Sequence, residues 1–564
     1  MAEFDYIIIG GGSAGSVLAD KLSADGRHNV LLIEAGPSDR RFWVRAPIGY
    51  GMLFHDQRVN WMYDGVPEDE LGGRSVYHPR GRVLGGSSSI NALVYHRGQA
   101  GDYDDWQAAG NPGWGYEDVS TVFDSFEHPH PDQNPVCQTG QKAGQKTRDP
   151  VNKAAGNAAS RSHLSVTDNS AECHPFGATF TSICNEAQVP SSTTPYREGE
   201  GVSSYLMTTR NGMRCSSAVA FLWPAMKRAN LAVRTNASVR RIAFEAGIAF
   251  EAGRAVSVTF RYKGAETVVR ARREIILSAG AIGTPQILQL SGVGDGASLQ
   301  KLGLDVVQNQ PAVGQNLQDH FGINYLFKAN RPTLNDVFGS WPGRLAAGLR
   351  YVLTRRGPLS LSINQYGGLV RTRPDQTRAD CQLYMNPLSY HSFHDGRRRL
   401  MRPDPFSGFI IGFNSCRPAS LGSVTITSPD AEVQPRIHGN YLDHQQDLDD
   451  AVRMARFVQR LQEAPALKAV LAEDPMTPLA DMDDAAVIDD FRERGSTVFH
   501  LCGTCRMGPG RRDAVVDPQL RVHGIGGLRI VDASVFPNIT SANTNAPTIM
   551  LAHKAAQMIL ADAG

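Results

Sequence analysis

Residues 4–34, with the sequence FDYIIIGGGSAGSVLADKLSADGRHNVLLIE, decide the fold of this chain. The run Tyr6–Ile9 is short, apolar and rich in β-branched residues, which is typical of a strand buried on both faces of a parallel sheet. A glycine-rich turn follows, residues 13–23 predict a helix, and a second apolar strand, Val30–Ile33, ends at Glu34. This succession predicts the strand–turn–helix–strand unit that binds a dinucleotide.

The turn has the G-x-G-x-x-G spacing, in which each glycine has its own task. Gly10 permits the tight turn, Gly12 lets the backbone approach a pyrophosphate, and Gly15 lets the helix pack on the strand. The helix starts at Ser13 and Ala14, where free N–H groups and the positive end of the helix dipole favour phosphate. We therefore expect the phosphates of the cofactor at this helix start.

The acid that ends the second strand completes the pattern. Glu34 stands nineteen residues after Gly15, where a carboxylate can accept hydrogen bonds from ribose hydroxyls, and Ala35 lies beside it. The pattern serves nicotinamide dinucleotides and FAD alike, so at this point it leaves the cofactor open.

Composition limits the class of protein. A chain of 564 residues exceeds one ordinary hydrophobic core and favours two domains. A hydrophobic content of 41% and a charged content of 20% are typical of a globular protein. A formal net charge of +1 gives no electrostatic reason to expect nucleic acid or an anionic membrane as a partner, so we expect small-molecule partners. The longest apolar runs are too short to predict a membrane span.

Targeting and cysteine chemistry point to the cytoplasm. The first strand follows Met1 almost directly, so we expect no signal peptide. Eight cysteines over this length are too sparse for a disulfide scaffold and favour reduced thiols. Cys502 and Cys505 form a C-x-x-C pair, but a distant second pair of ligands is missing and we expect no metal site.

Residues 79–94, PRGRVLGGSSSINALV, predict a second loop that contacts the cofactor. Glycines and small hydroxyl residues let the backbone approach a ligand and donate N–H bonds, and two arginines add positive charge.

Together with residues 4–34, this loop resembles the first signature of the glucose-methanol-choline (GMC) family of FAD-dependent oxidoreductases. The resemblance implies that the cofactor is FAD and that the loop lies along its flavin ring and pyrophosphate. Some family members attach FAD covalently through a histidine where this chain has Ile90, so we expect noncovalent FAD. The implied FAD contacts from this loop are Arg82, Gly85, Gly86, Ser87, Asn91, Ala92, Leu93 and Val94.

Two further segments resemble the same family. Residues 280–294, GAIGTPQILQLSGVG, match its second signature, which implies a contact with FAD from the preceding Ala279. By the same resemblance, Val239 would meet the adenine through its backbone. Residues 313–320, VGQNLQDH, are also similar to a family segment, and we expect His320 to be a hydrogen-bonded structural histidine.

The C-terminal segments resemble the catalytic region of the family. Residues 498–508, VFHLCGTCRMG, match the segment that carries the catalytic histidine, which is His500 here. Residues 541–548, SANTNAPT, match the start of the closing helix. The FAD contacts implied by these matches are Asp532, Ala533, Thr544 and Thr548.

The implied chemistry is the oxidation of an alcohol. Its hydroxyl proton must leave while a hydride departs from the same carbon to flavin N5. His500 would be the general base, because a neutral imidazole with a usual pKa of about 6.5 titrates near working pH. Asn543 would hydrogen-bond the same oxygen, and some relatives place a second histidine there. The closing helix, with Pro547 in its first turn, would direct its positive end at the flavin.

The expected fold is mixed α/β: a Rossmann-type FAD-binding domain with an inserted antiparallel-sheet substrate domain that is covered by helices. The resemblance assigns to the FAD-binding domain residues 1–38, 78–100, 211–300 and 490–564. The substrate domain and covering excursions would comprise residues 39–77, 101–210 and 301–489. Within them, residues 128–161 predict a long surface loop, and whether it acts as a lid stays open.

The expected function is FAD-dependent oxidation of an aliphatic, polyol or sugar alcohol to an aldehyde or ketone. A quinone-type carrier or oxygen would reoxidise the flavin. An oxygen-using oxidase and a flavin-dependent lyase or photodecarboxylase on the same scaffold stay open as alternatives. The pocket comes from irregular excursions without a transferable code, so the sequence does not predict the substrate. Trp61, in one of them, is expected to pack rather than to touch substrate.

Overall fold

The computed structural model describes residues 2–129, 163–192, 196, 200–245, 253–392 and 398–563. Most of the predicted surface loop, residues 130–161, lies outside the described residues. Two large sheets organise the described part, a mixed sheet at the nucleotide unit and an antiparallel sheet beyond it. The predicted mixed α/β fold is confirmed.

The first sheet is built on the predicted nucleotide unit. The strand Ala2–Ile9, the helix Ser13–Leu22 and the strand Val30–Ile33 follow in the expected order. The two strands are parallel, and Tyr6–Ile9 and Val30–Ile33 are fully buried, as their apolar side chains require. The strands of the sheet lie in the order Leu231–Arg234, Val30–Ile33, Ala2–Ile9, Ala265–Leu277, Arg254–Tyr262 and Ala237–Glu245, and Leu528–Ile530 also pairs with Ala265–Leu277.

The parallel strands of this sheet end along one edge. The second half of Ala265–Leu277 runs parallel to Ala2–Ile9 on one side and to Leu528–Ile530 on the other. Ligands of open α/β sheets bind outside the carboxyl ends of such strands. Four of the five parallel strands here continue, within two residues, into a predicted cofactor contact: Gly10, Glu34, Ala279 and Asp532.

The second sheet is antiparallel throughout. Its strands lie in the order Ser496–Thr497, Phe321–Lys328, Gly408–Ser415, Cys381–Asn386, Tyr366–Val370 and Gly201–Ser204. Helix Gln445–Glu463 covers it, and the two share a hydrophobic cluster that is separate from the cluster of the first sheet. The predicted helix-covered antiparallel sheet is therefore present. The exact domain boundaries stay a prediction, since Ser496–Thr497, which was assigned to the FAD-binding range, pairs with the second sheet.

Helices surround both sheets. The longer ones are Ser13–Leu22, Ala100–Ala108, Tyr116–Phe126, Phe176–Glu186, Gly280–Leu290, Trp341–Thr354, Gln445–Glu463, Asp484–Arg494 and Asn545–Ala563. Shorter α-helices are Phe42–Arg45, Tyr50–Leu53, Trp223–Ala225, Gly296–Lys301, Leu334–Gly339 and Pro465–Lys468. Among the described residues, no helix combines the length and the hydropathy that crossing a bilayer requires.

Small two-stranded sheets complete the described structure. They pair Tyr63–Asp64 with Tyr77–His78, Glu127–Pro129 with Leu164–Val166, Thr209–Arg210 with Met213–Arg214, Val293–Gly294 with Gln308–Asn309, Tyr390–Ser392 with Arg398–Pro403, and Ser423–Thr425 with Arg436–His438.

Candidate active site

A cavity of about 330 Å³ extends from the carboxyl edge of the first sheet to strands of the second sheet. Its volume lies in the usual range for small-molecule sites. The structure therefore gathers around one space residues that are far apart in the sequence. The predicted site residues that line it are Gly10, Gly12, Ser13, Ala14, Glu34, Ala35, Gly86, Ser87, Asn91, Ala92, Leu93, Val94, Val239, Ala279, His500, Asp532, Ala533, Asn543, Thr544 and Thr548.

Three predicted residues, Gly15, Arg82 and Gly85, do not line the cavity. A Cβ on Gly15 would lie 1.9 Å from the Gly10 carbonyl oxygen, so this glycine serves the contact between helix and strand. Gly85 adopts a φ of +87° and donates its N–H to the first glycine-rich turn. The Arg82 guanidinium lies over the Trp61 ring, 4.9 Å from its centroid. These residues shape the loops, and direct contact between them and FAD stays a prediction.

The space beside Gly12 tests whether the cavity fits a dinucleotide. Gly12 has a φ of −76°, which any L-residue adopts, and a Cβ on it would lie 3.9 Å from the nearest protein atoms. A Cβ on Gly86, in the facing loop, would lie only 2.7 Å from the Gly12 Cα. Protein packing therefore requires glycine at 86 but not at 12. The room at Gly12 opens into the cavity, where a pyrophosphate fits against bare backbone.

Glu34 is a buried carboxylate at the nucleotide end of the cavity. Its two oxygens accept the N–H groups of Gly11 and Gly36, each at 2.8 Å. Burial raises the pKa of Glu34 to about 7, although both hydrogen bonds act to lower it. A desolvated carboxylate is stabilised by further hydroxyl donors, so the predicted ribose contact fits this site.

Elsewhere on the wall of the same cavity, His500 and Asn543 are in direct contact. The Asn543 Nδ2 and the His500 Nε2 lie 2.9 Å apart. The Asn543 Oδ1 accepts a hydrogen bond of 3.2 Å from the Gln382 Nε2, which turns the amide NH₂ towards the imidazole. On its other side, the His500 Nδ1 lies 2.8 Å from the Nδ1 of His320, whose Nε2 lies 3.1 Å from the carbonyl oxygen of Cys416.

These contacts select one tautomer of His500. A carbonyl oxygen only accepts, so the His320 Nε2 carries the proton that is donated to Cys416, and the His320 Nδ1 is an acceptor. The His500 Nδ1 must then carry a proton and donate it to His320. The lone pair of His500 is thereby placed on Nε2, at the cavity, where it accepts an N–H of Asn543. His320 is hydrogen-bonded, as expected, but its partner is the predicted base itself.

Both histidines are held in the neutral form. Burial lowers the pKa of His500 well below its usual value of 6.5, and the neighbouring His320 and Arg80 lower it further. Burial also lowers the pKa of His320 to about 4, although its hydrogen bond to Cys416 acts in the opposite direction. A neutral imidazole can accept a proton at neutral pH, which is the state a general base needs.

The Asp319 carboxylate fixes the segment that carries His500. Its Oδ1 accepts the His500 N–H at 2.7 Å, and its Oδ2 accepts the hydroxyls of Tyr441 and Thr497. Phe499, which directly precedes His500 in the chain, has a φ of +73°, an uncommon conformation for an aromatic residue. Asp319 therefore holds a strained turn that aims the imidazole, and it comes from the 313–320 segment singled out in the sequence.

The sequence did not single out the residues that shape the cavity near His500. Strand Cys381–Asn386 places Gln382 and Tyr384 on one face, as its period of two requires, and Asn414 pairs opposite Gln382. Alternation indicates that these side chains share a face but does not say which face meets the cavity. The further lining residues that the predictions missed include Tyr50, Phe54, Tyr205, Ile363, Asn364, Tyr390 and Phe499.

Trp61 has a wider role than the sequence suggested. It packs, as expected, with its ring stacked on Tyr63 at a centroid distance of 5.8 Å and under the Arg82 guanidinium. It also lines the cavity, so packing and ligand contact are compatible at this position.

Comparison with protein families and curated sequences gives one consistent result. The two models described as GMC oxidoreductase match residues 4–322 and 418–552. The chain is 35% identical over 561 residues to the alcohol dehydrogenase [acceptor] of Pseudomonas putida, which covers 99% of this chain and 96% of that enzyme. It is 34% identical to the oxygen-dependent choline dehydrogenase of Photobacterium profundum, covering 99% of this chain and 93% of that enzyme.

Solved structures of oxidases have the same fold as this chain. The pyridoxine 4-oxidase of Mesorbium loti is 27% identical, with a TM-score of 0.81 over 98% of both chains. A formate oxidase at 24% identity shares the fold, with a TM-score of 0.86 over 100% of this chain and 98% of that one. The cavity, the two signatures and these matches together identify the chain as a member of the GMC oxidoreductase family of FAD-dependent enzymes.

Proposed function

We propose that this protein oxidises a neutral alcohol to an aldehyde or ketone, with His500 as the general base. The observation that carries the proposal is the basic His500 Nε2 at the cavity, whose lone pair accepts an N–H of Asn543 that a substrate hydroxyl can replace. FAD, when bound, supplies the two-electron acceptor that takes the hydride from the alcohol carbon.

The residues of this chain would handle the proton and the oxygen. The substrate hydroxyl would replace the Asn543 N–H at the His500 Nε2 and pass its proton to that atom, while the His500 Nδ1–H stays donated to His320. Asn543 has a second amide hydrogen to offer to the substrate oxygen, and Gln382 keeps its NH₂ group turned to that side. Asp319 and the buried walls hold the imidazole in place, so little reorganisation is needed when the proton moves.

The charge of the lining disfavours a cationic substrate. The carboxylates among the described lining residues are Glu34 and Asp532. Glu34 accepts two backbone N–H groups, and Asp532 accepts the N–H of Gly280 and the hydroxyl of Thr284. The wall near His500 is instead made of aromatic rings, amides and the Arg80 guanidinium, so a buried cation would lack a counter-ion and would be repelled by Arg80.

This wall predicts discrimination against choline, the substrate named for some relatives. With neutral primary alcohols of similar size, kcat/KM should exceed that for choline by at least about tenfold, because the cation would be desolvated without a carboxylate partner. Steady-state assays with an artificial electron acceptor measure the ratio. A kcat/KM for choline equal to or above that of its neutral isostere would contradict the proposed substrate class.

FAD should be released by acid. Ile90 stands where some relatives carry a flavin-linking histidine, and it has no nucleophilic atom. After precipitation of the flavin-loaded protein with acid, the yellow colour should stay in the supernatant. Flavin that remains in the washed pellet would refute noncovalent binding.

The rate of flavin reduction should be flat across neutral pH. Because the pKa of His500 is lowered, the imidazole is already unprotonated between roughly pH 6 and 8. The rate of flavin reduction should fall only below that range, where His500 becomes protonated. Anaerobic stopped-flow measurements at saturating alcohol give the profile. An inflection near the usual imidazole pKa would mean that His500 titrates freely.

Simple measurements identify the electron acceptor and distinguish alcohol oxidation from the alternative reactions. Hydrogen peroxide formed in step with substrate would identify an oxidase, whereas turnover only with a quinone-type acceptor would identify a dehydrogenase. A lyase or photodecarboxylase leaves the flavin oxidised when an alcohol is added without oxygen, so anaerobic bleaching of the flavin supports alcohol oxidation over both.

A further inference from the structure

The surface helix Trp341–Thr354 exposes a continuous apolar stripe. Trp341 and Leu353 are 73% and 72% exposed, and Leu345, Leu349 and Val352 are 56 to 57% exposed. At 3.6 residues per turn, these five side chains fall within about a third of the helix circumference. Scattered apolar residues are normal on a surface, but a contiguous stripe of this length marks an interaction site.

A neighbouring segment extends the stripe. Phe42 and Trp43 are 51% and 36% exposed, and the Phe42 ring lies 6.4 Å from the ring of Tyr351 on the surface helix. Met52, in the next short helix, is 42% exposed. We call Phe42, Trp43, Met52 and the five helix residues together the apolar patch.

Arginines accompany the apolar patch, and acids are absent from the same stretches. Residues 341–356 contain four arginines, and residues 40–45 contain three more, without an aspartate or glutamate in either stretch. Arg344, Arg355 and Arg356 are exposed. Arg350 pairs with Glu172 at 2.9 Å and Arg45 lies 3.7 Å from Asp39, so these two acids stand against the seven arginines of the two stretches. The net charge of +1 does not reveal this local excess of arginine, because the compensating acids lie elsewhere in the chain.

The inner side of this helix approaches the cavity. Ala347 packs in a buried cluster that includes Tyr50, Phe54, Ile363 and Tyr390, and all four of these residues also line the cavity. The buried cluster beneath this helix therefore also forms part of the cavity wall.

We propose that the apolar patch docks the protein peripherally on the surface of an anionic phospholipid bilayer. A helix with a Trp- and Leu-rich face and arginines beside it lies in the plane of the interface, with its apolar side chains among the acyl chains and its guanidinium groups at the lipid phosphates. A second copy of the chain fits less well, because a two-fold interface would bring the same arginines of both copies face to face. The docking does not depend on the proposed reaction.

Vesicle sedimentation with the flavin-loaded full-length protein tests this proposal. Binding should be at least about tenfold stronger to vesicles of phosphatidylcholine and phosphatidylglycerol in equal parts than to phosphatidylcholine alone, and it should weaken as salt is raised. The double variant Leu345→Glu with Leu349→Glu should lose at least about tenfold in binding, and so should Arg355→Gln with Arg356→Gln.

Met476→Glu is the matched control, since Met476 is 57% exposed, as Leu349 is, but lies outside the apolar patch. This variant should bind vesicles as the wild type does, and the melting temperatures of all variants should be unchanged. Equal binding to both kinds of vesicle, or full binding by the leucine variant, would overturn the proposal. So would a dimer in solution that the leucine variant converts to a monomer, because a second copy would then occupy the patch.

Discussion

Replacing His500 with alanine should slow the reduction of bound flavin by alcohol at least about a hundredfold, the usual scale for loss of a general base. The reason is geometric: the contact with His320 makes Nε2 the basic atom of His500, and this atom lies at the cavity, where it accepts an N–H of Asn543 that a substrate hydroxyl can replace. The cavity keeps its other walls, so the variant should still bind FAD. Anaerobic stopped-flow mixing with saturating alcohol measures the rate constant directly.

The control for this variant is His500→Gln. Glutamine restores a polar side chain of similar reach but has no basic nitrogen, so it should show a loss of the same order. Full recovery by glutamine would mean that the side chain only fills space or donates a hydrogen bond. If the flavin of the alanine variant is reduced at the wild-type rate, another group must be the base.

Replacing Gly12 with alanine should weaken FAD binding by roughly 10- to 100-fold while leaving the fold intact. Its φ of −76° suits alanine, and the added Cβ would meet no protein atom within 3.9 Å. The Cβ would instead occupy space that the pyrophosphate needs, and such overpacking costs about 1 to 3 kcal/mol. Titration of the apoprotein with FAD, followed by flavin fluorescence, gives the dissociation constant.

Gly339→Ala is the matched control, because a Cβ there meets no atom within 4 Å, much as a Cβ on Gly12 meets none closer than 3.9 Å, and Gly339 does not line the cavity. It should bind FAD as the wild type does. Far-UV circular dichroism and the melting temperature of the two apoproteins should agree. If Gly12→Ala binds FAD at wild-type strength, the pyrophosphate does not pass this turn.

The sequence predicted best what depends on neighbours in the chain. The nucleotide unit of residues 4–34 formed as expected, because strand burial, the glycine turn and the helix start are local consequences of residue type. Gly15 was assigned to helix–strand packing and is found there, with no room for a Cβ. Arg82 and Gly85 lie in the predicted loop but not at the cavity, since loop composition does not determine which side chains face a ligand.

Contacts between distant segments were harder to predict. His320 was expected to be hydrogen-bonded, yet its partner, 180 residues away, follows only from the packing of the second sheet against the closing segments. Gln382 and Tyr384 occur in an ordinary buried strand, and their approach to Asn543 depends on how that sheet stacks on the cavity. The arginine excess around the apolar patch was likewise invisible in the net charge, because charge balance over 564 residues says nothing about one face.

The most direct measurement is the absorbance of bound flavin when alcohols are added to the purified yellow protein without oxygen. The arrangement of His500, Asn543 and the cavity predicts that a neutral primary alcohol bleaches the flavin fully, and that the His500→Ala protein stays yellow over the same time. Flavin that stays oxidised with every alcohol tested, or that is bleached equally fast in the variant, would contradict alcohol oxidation by His500.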